Sequence, residues 1–222
     1  MKPLVNILQY GSMEKLANTQ LAGAYGLHVT TGLIVYEKDG IKKGMIIDTG
    51  MVCDWDAHQI ELIKYGLSTN DITHILATHF HQDHVQALAK YPSGTHVFHY
   101  GSSSILDSSE YGAKIYDKFI EVPEITFHLV DNAHTKKDTI YIIDSENNGK
   151  TAFMGDLLFS LFDTLPKETQ KEMDSSVSVN PERRYKLVKE FFENNLDITN
   201  FYLGHYGRMA ERKEIEKYLN EW

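Results

Sequence analysis

The seven residues Thr78-His79-Phe80-His81-Gln82-Asp83-His84 constrain this 222-residue chain more than any other stretch. Three histidines and one aspartate fall within six positions. At this histidine density, a chance H-x-H-x-D-H has odds on the order of one in a thousand. The apolar run His74-Ile75-Leu76-Ala77 precedes the segment and a helical pattern, Val85 to Tyr91, follows it. That context predicts a loop at a strand's end, where scaffolds hold reactive groups. Imidazole and carboxylate together suit Zn, Mn or Fe. Alternation puts His79 and His81 on one side of an extended segment, and the turn after them aims Asp83 and His84 elsewhere. One short segment can therefore feed two metals. The competing reading is a polar surface loop with fortuitous histidines.

The flanking pattern predicts the scaffold. Strands are expected at Leu4 to Tyr10, Leu33 to Glu37 and Met45 to Asp48, with Lys38-Asp39-Gly40 as a hairpin turn. Residues 54–66 read as a helix with Trp55, Ile60 and Ile63 on its apolar face and Gly66 as its stop. Further strands are expected at His74 to Thr78, Val97 to Tyr100, Thr126 to Val130, Thr139 to Ile143, Thr151 to Met154 and Phe201 to Leu203. Helices are expected near Arg183 to Asn194, with an apolar stripe of Tyr185, Leu187, Val188, Phe191 and Phe192, and at Lys213 to Trp222. Strands and helices fall in two successive sets, which implies two sheets covered by outer helices.

Composition narrows the class. Hydrophobic residues make up 42% and charged residues 24%, enough for a packed interior. A formal net charge of -9 argues against nucleic acid and anionic membranes as partners. The one cysteine, Cys53, excludes an internal disulfide and a cysteine-based structural zinc site, and it reads as a buried, inert thiol. Met1 to Asn6 lacks the apolar core of a secretory signal, so a cytoplasmic protein with a small-molecule substrate is expected. A homodimer is left open.

Four more motifs follow in order: Ile47-Asp48-Thr49-Gly50, Asn132-Ala133-His134-Thr135, Phe153-Met154-Gly155-Asp156 and Leu203-Gly204-His205-Tyr206-Gly207. Taken singly, His134 and His205 read as turn or loop residues, Asp48 as a strand-ending turn residue and Asp156 as a helix N-cap. Taken together with the His79–His84 segment, the series resembles the metallo-β-lactamase superfamily. Its members share a four-layer αβ/βα sandwich, an α/β fold with a metal site at one edge. The resemblance implies a single domain over residues 1–222. It implies that His79, His81 and His134 hold one divalent metal and that Asp83, His84 and His205 hold a second. Asp156 would bridge them, and Asp48 would orient ligand imidazoles by hydrogen bonds. Zinc is the expected metal, with Fe or Mn as alternatives.

The implied chemistry is hydrolysis of an ester, lactone or thioester by a metal-bridging hydroxide, with Asp83 shuttling the proton. Tyr25, Phe80, Phe159 to Phe162 and Tyr206 are candidates for the substrate wall, and the Tyr206 hydroxyl for an oxyanion donor. Simple packing is the favoured reading for most of these aromatics. The third motif departs from the family's usual Pro-Gly continuation. It reads Lys136-Lys137-Asp138, and the two lysines either attract an anionic substrate or form a solvated turn. Asp156 and the absent signal argue against antibiotic hydrolysis, and the length leaves no room for a nuclease insertion or flavin domain. The stretches Gly155 to Leu157 and Asn180 to Arg183 loosely resemble the metallo-β-lactamase domain-containing protein 1 group. That keeps phosphodiester or RNA cleavage as an alternative. A single-iron oxidoreductase similar to the sulfur dioxygenases, using His79, His134 and Asp156, is another. A non-catalytic scaffold is a third, disfavoured because all seven ligands are present.

Overall fold

A computed structural model describes residues 1–12, 28–92, 95–98, 122–161 and 167–221. Tyr25, His99, Tyr100, Phe162 and Trp222 lie outside the described residues. The first sheet begins with β1 (Leu4–Gln9), β2 (Thr31–Lys38) and β3 (Ile41–Ile47), each antiparallel to the last. Asp39 and Gly40 join β2 to β3 with φ of 55° and 76°, the two left-handed residues of a type I′ hairpin. After α1 (Trp55–Lys64), β4 (Ile72–Leu76) and β5 (His96–Phe98) add in parallel, giving the order β1-β2-β3-β4-β5. Between them lies a one-turn helix, α2 (Gln82–Val85).

The second sheet repeats the scheme. Its strands β6 (Ile125–Asp131), β7 (Lys137–Ser145) and β8 (Gly149–Gly155) form an antiparallel meander. Helices α3 (Lys167–Val177) and α4 (Pro181–Asn194) then lead to β9 (Asn200–Leu203), parallel to β8. The short β10 (Ala210–Glu211) and helix α5 (Arg212–Glu221) follow, and the sheet order is β10-β9-β8-β7-β6.

Both faces of each sheet are covered, which is why the strands read as near-continuous apolar runs. Ile34, Tyr36, Met45, Ile47 and Leu76 face Tyr141, Ile143, Phe153 and Tyr202 in one core between the sheets. The alternate residues of β2, β3 and β4, including Leu33, Val35, Ile46 and Ile75, turn outward to pack with Leu62 and Leu67. Ile140, Ile142, Met154 and Phe201 meet Val188, Phe191 and Phe192 of α4 and Ile215 and Leu219 of α5 on the opposite side. The layers are thus helix, sheet, sheet, helix, the four-layer α/β sandwich expected from the sequence. The buried Tyr141 hydroxyl bridges the sheets, donating to the carbonyl of Ala77 at 2.9 Å.

Local details differ from the sequence expectation for identifiable reasons. Ile60 and Ile63 are 59% and 70% exposed, so they are not the inner face of α1. That face carries His58 and Leu62, because the His58 Nε2 finds Gln9 Oε1 at 3.0 Å and a satisfied imidazole can occupy an inner position. Cys53 is exposed rather than buried, since the 3-10 turn Val52–Asp54 points it outward. The helix expected from Val85 to Tyr91 is a 3-10 helix over Gln86–Lys90, and the α-helical turn Gln82–Val85 precedes it and holds Asp83 and His84. The charged and polar α3 carries no apolar stripe that would mark it in the sequence.

Burial holds the His58 imidazole at about pKa 4, only partly opposed by Asp54. The folded chain therefore binds fewer protons than the unfolded one between pH 6.5 and 4. Stability from this group is fully present above 6.5 and is lost as pH falls toward 4, at up to about 1.4 kcal/mol per pH unit. Unfolding free energies between pH 6.5 and 4.5 are expected to fall less steeply in His58→Gln than in the parent. Parallel slopes would disprove this assignment.

Candidate metal centre

The five motifs converge at one edge of the sandwich. Parallel β3 and β4 bring Asp48 and residues 77–84 there, and parallel β8 and β9 bring Asp156 and His205 to the same edge. His134 arrives from the β6–β7 turn, which Asp138 fastens by accepting from the Thr135 amide at 3.0 Å and its hydroxyl at 2.8 Å. Two glycines make the approach close. A side chain at Gly204 would stand 1.9 Å from Asp156 Oδ1, and one at Gly155 would stand 2.5 Å from Thr78 Oγ1.

The ligand-type atoms form two adjacent groups: His79, His81, His134 and Asp156, and Asp83, His84 and His205. In the first, Asp156 Oδ2 lies 3.5 Å from His134 Nε2 and 3.9 Å from His79 Nε2, and His81 Nδ1 lies 3.0 Å from His134 Nε2. In the second, His205 Nε2 lies 3.3 Å from Asp83 Oδ2, and His84 Nε2 lies 3.8 Å from the same oxygen. The other Asp156 oxygen, Oδ1, faces this group, 3.2 Å from His84 Nε2 and 3.5 Å from His205 Nε2. Nitrogen and oxygen ligands about 2.1 Å from a common tetrahedral cation sit roughly 3.4 Å apart. The observed spacings match such edges.

Hydrogen bonds outside the clusters fix which nitrogens face in. Asp48 Oδ2 accepts from His84 Nδ1 at 2.7 Å and from the Thr78 hydroxyl at 2.7 Å, and Oδ1 accepts from the Thr78 amide. With its proton committed to Asp48, Thr78 Oγ1 accepts from His79 Nδ1 at 3.1 Å. His205 Nδ1 donates to the His28 carbonyl at 2.9 Å. Each of these imidazoles therefore commits Nδ1 outward and turns its Nε2 atom inward. His79 Nε2, His84 Nε2, His205 Nε2 and Asp156 Oδ1 are buried without hydrogen-bond partners. Buried polar atoms are normally paired. Four convergent exceptions of metal-ligand type fit a cation-binding centre.

The protein's charges suit the same purpose. Burial, reinforced by His84, pushes the His79 imidazole far below its ordinary range, and burial puts His134 at about 4. Both are neutral and offer lone pairs at neutral pH. Burial opposes ionisation of Asp156, yet His205 and His84 hold its carboxyl well below the usual range. Burial likewise opposes the charged forms of His84 and His205, but the Asp156 carboxylate, helped by Asp48 at His84, raises both above the ordinary value, so a cation entering this side would displace protons from these rings.

Most of the centre is closed to water. His79, His84, His134, Asp156 and His205 are buried, whereas His81 is exposed and Asp83 half-buried, so solvent meets the centre on that side. The remaining candidates are not members of the two ligand groups. Phe159 packs its ring 4.3 Å from that of His205, and Phe80 packs into the core under α1. Tyr206 is half-buried against the α4–α5 core, with the Arg208 guanidinium 4.8 Å over its ring. Lys137 forms a cross-strand ion pair with Asp131, and Lys136 is exposed. Sequence reasoning gave no role to Thr78 nor to three more distant residues that touch ligands. Ser178 places its hydroxyl 3.5 Å from His134 Nδ1, the His28 carbonyl holds His205, and the buried Arg184 donates to the Asp156 carbonyl at 3.4 Å. Only Arg184 left a trace in the sequence, as a charge on the inner stripe of α4.

A two-sheet sandwich carrying imidazoles and carboxylates in paired clusters at one edge is the build of a metal-dependent hydrolase. The chain belongs to the metallo-β-lactamase superfamily, whose family model matches residues 24–179. Solved structures agree on the fold. A protein described as a putative metallo-β-lactamase from Thermotoga maritima aligns with a TM-score of 0.65 at 18% identity, covering 95% of this chain and 100% of that one. An N-acyl homoserine lactone hydrolase, with N-hexanoyl-L-homoserine at its catalytic metal centre, aligns at 0.57 and 15% identity, covering 92% and 93%. AidC, a dizinc quorum-quenching lactonase, aligns at 0.59 and 19% identity, covering 82% and 75%. No curated sequence matches the chain significantly. Among the described residues, no helix is long and apolar enough to cross a membrane.

Proposed function

We propose that the chain is a two-metal hydrolase that opens the ester bond of a small lactone, or of a related ester or thioester. The observation that carries this reading is the division of one buried carboxylate. Asp156 turns Oδ2 to the His79–His81–His134 group and Oδ1 to the Asp83–His84–His205 group. A carboxylate shared in this way suits two cations held a few ångströms apart, as in hydrolases that clamp the attacking and leaving oxygens. The donor set of imidazoles and carboxylates suits zinc best.

When bound, the cations would supply Lewis acidity and an acidified water at neutral pH. The chain's own residues do the rest. Asp48 and Thr78 keep the His84 and His79 rings oriented. Asp83 stands on the solvent side with Oδ2 beside His205, placed to take a proton from the attacking water and return it to the leaving oxygen. Tyr206 follows His205 in the chain and is the candidate donor to the developing oxyanion. The second group keeps all three of its ligand types, which supports two cations over the single-iron alternative. The lactonases among the structural neighbours and the net charge of -9 favour a small ester over a phosphodiester or RNA. The shared core around Tyr141 supports one domain over residues 1–222, and the single free cysteine suits a reducing cytoplasm.

A panel of N-acyl homoserine lactones, simple lactones, thioesters and phosphodiesters tests the assignment, with acid release followed by titration at constant pH. Turnover of lactones or thioesters that stops on chelation and returns with zinc is the expected result. Turnover of phosphodiesters alone would overturn the substrate class.

A further inference from the structure

A second polar cluster, half-buried at His28 and buried at Asp54 and His58, lies behind His205. The His28 carbonyl that accepts from His205 Nδ1 also accepts from the Ser12 amide at 2.9 Å, and the His28 amide returns to the Ser12 carbonyl at 3.3 Å. The side chain of the same residue reaches the other way, with His28 Nδ1 2.9 Å from Asp54 Oδ1. Asp54 is itself held. Its side chain is only 7% exposed, and its amide donates to the Met51 carbonyl in the turn just after the Asp48 motif. His58 backs this corner, fixed to Gln9 at the end of β1. Space is tight there, because a side chain at Gly50 would come within 3.0 Å of His58 Cε1 and 3.6 Å of Asp54 Oδ2.

These contacts have a directional consequence. His84 is oriented by a carboxylate and His79 by a hydroxyl, but His205 is oriented by a backbone carbonyl. A carbonyl has no side chain of its own to set it, so its position depends on what pins its residue. For His28 those pins are the Ser12 bridge and the close approach of its ring to Asp54. Asp54 Oδ1 stands within ion-pair distance of His28 Nδ1, and a buried carboxylate is less costly with that ring beside it than alone. We propose that His28 and Asp54 are a positioning pair for the second cluster. They fix the carbonyl that aims His205 Nε2 and thereby set the affinity of the Asp83–His84–His205 group for its cation. No contact connects the pair to His79, His81 or His134 among the hydrogen bonds and ion pairs described, so the first cluster should be indifferent to it. The inference rests on the metal-centre reading above.

Cobalt(II) titration of the whole chain tests it, because d–d absorption follows each equivalent separately. Asp54→Ala and His28→Ala are each expected to weaken the second equivalent about tenfold, the lower end for residues that orient a ligand. The first equivalent should change less than about twofold. The double variant should be no worse than either single one, as coupled partners require. Asp54→Asn, whose amide oxygen can still accept from His28, should recover most of the affinity. Unfolding of the metal-free variants reports stability separately. Unchanged second-equivalent affinity in both alanine variants would overturn the proposal. So would an equal weakening of both equivalents alongside a lower melting temperature, which marks general loosening. A parent chain that takes up no second equivalent would overturn the two-metal reading itself, and this inference with it.

Discussion

Asp156→Ala is expected to abolish binding of both cations at once and to lower hydrolysis by on the order of 10³-fold or more. Lewis-acid and acidified-water chemistry is worth several kcal/mol, and each 1.4 kcal/mol is about tenfold in rate. The size of the effect comes from the position of one side chain. Asp156 is buried and, among the described residues, is the one group whose two oxygens face different clusters. His81→Ala gives the contrast. His81 is exposed and touches only the first group, so that variant should keep one cation while Asp156→Ala keeps none. Elemental analysis after gel filtration reads the difference. Two cations retained in Asp156→Ala would refute the bridging role, and equal stoichiometry in the two variants would refute the division into two clusters.

Gly204→Ala should do comparable damage with a single methyl group. Its Cβ would stand 1.9 Å from Asp156 Oδ1 and 3.1 Å from the carboxyl carbon, so the carboxylate or the His205 loop must move. Contact this short cannot be absorbed by a rotamer change in a site packed on all sides. We expect both cations to bind at least about 100-fold more weakly. The melting temperature should fall by several degrees, as about 1–3 kcal/mol of overpacking implies for a domain of this size. Gly149→Ala is the control, because it adds the strain of a positive φ that Gly204 does not have, yet has nothing within 4 Å of the new methyl. It should cost about 1 kcal/mol of backbone strain and leave metal binding intact. Equal metal affinity in the Gly204 and Gly149 variants would show that the close approach at Gly204 does not shape the site.

The glycine argument also explains why so much of the centre was legible in the sequence. Strand-ending motifs such as Gly155-Asp156 and Gly204-His205 carry their geometry locally. The glycine marks a backbone that must pass close to a neighbour, and the ligand follows it directly. The His79–His84 segment is legible for the same reason, since extended backbone followed by a helical turn separates two pairs of ligands without help from elsewhere. The sandwich itself could be read because strands covered on both faces have a distinctive apolar density. What escaped is what depends on distant partners. His58 lies on the inner face of α1 only because Gln9 meets it across the fold. The Ser178 bond to His134 depends on how α3 and α4 are joined, and α3 has no apolar stripe to announce it. The His28 carbonyl is invisible in principle, since a backbone acceptor leaves no mark on residue type. Cys53 was misplaced because a small apolar side chain beside a motif is as compatible with an outward 3-10 turn as with a buried loop.

The most direct test of the central claim is the anomalous diffraction of crystals of the zinc-loaded protein, collected on both sides of the zinc edge. We expect two peaks about 3.5–4 Å apart, the spacing of two-metal hydrolytic sites. One should lie about 2.0–2.2 Å from the inward atoms of His79, His81 and His134, and the other at the same distance from Asp83, His84 and His205. Asp156 should have one oxygen on each. A single peak, or peaks away from these side chains, would contradict it.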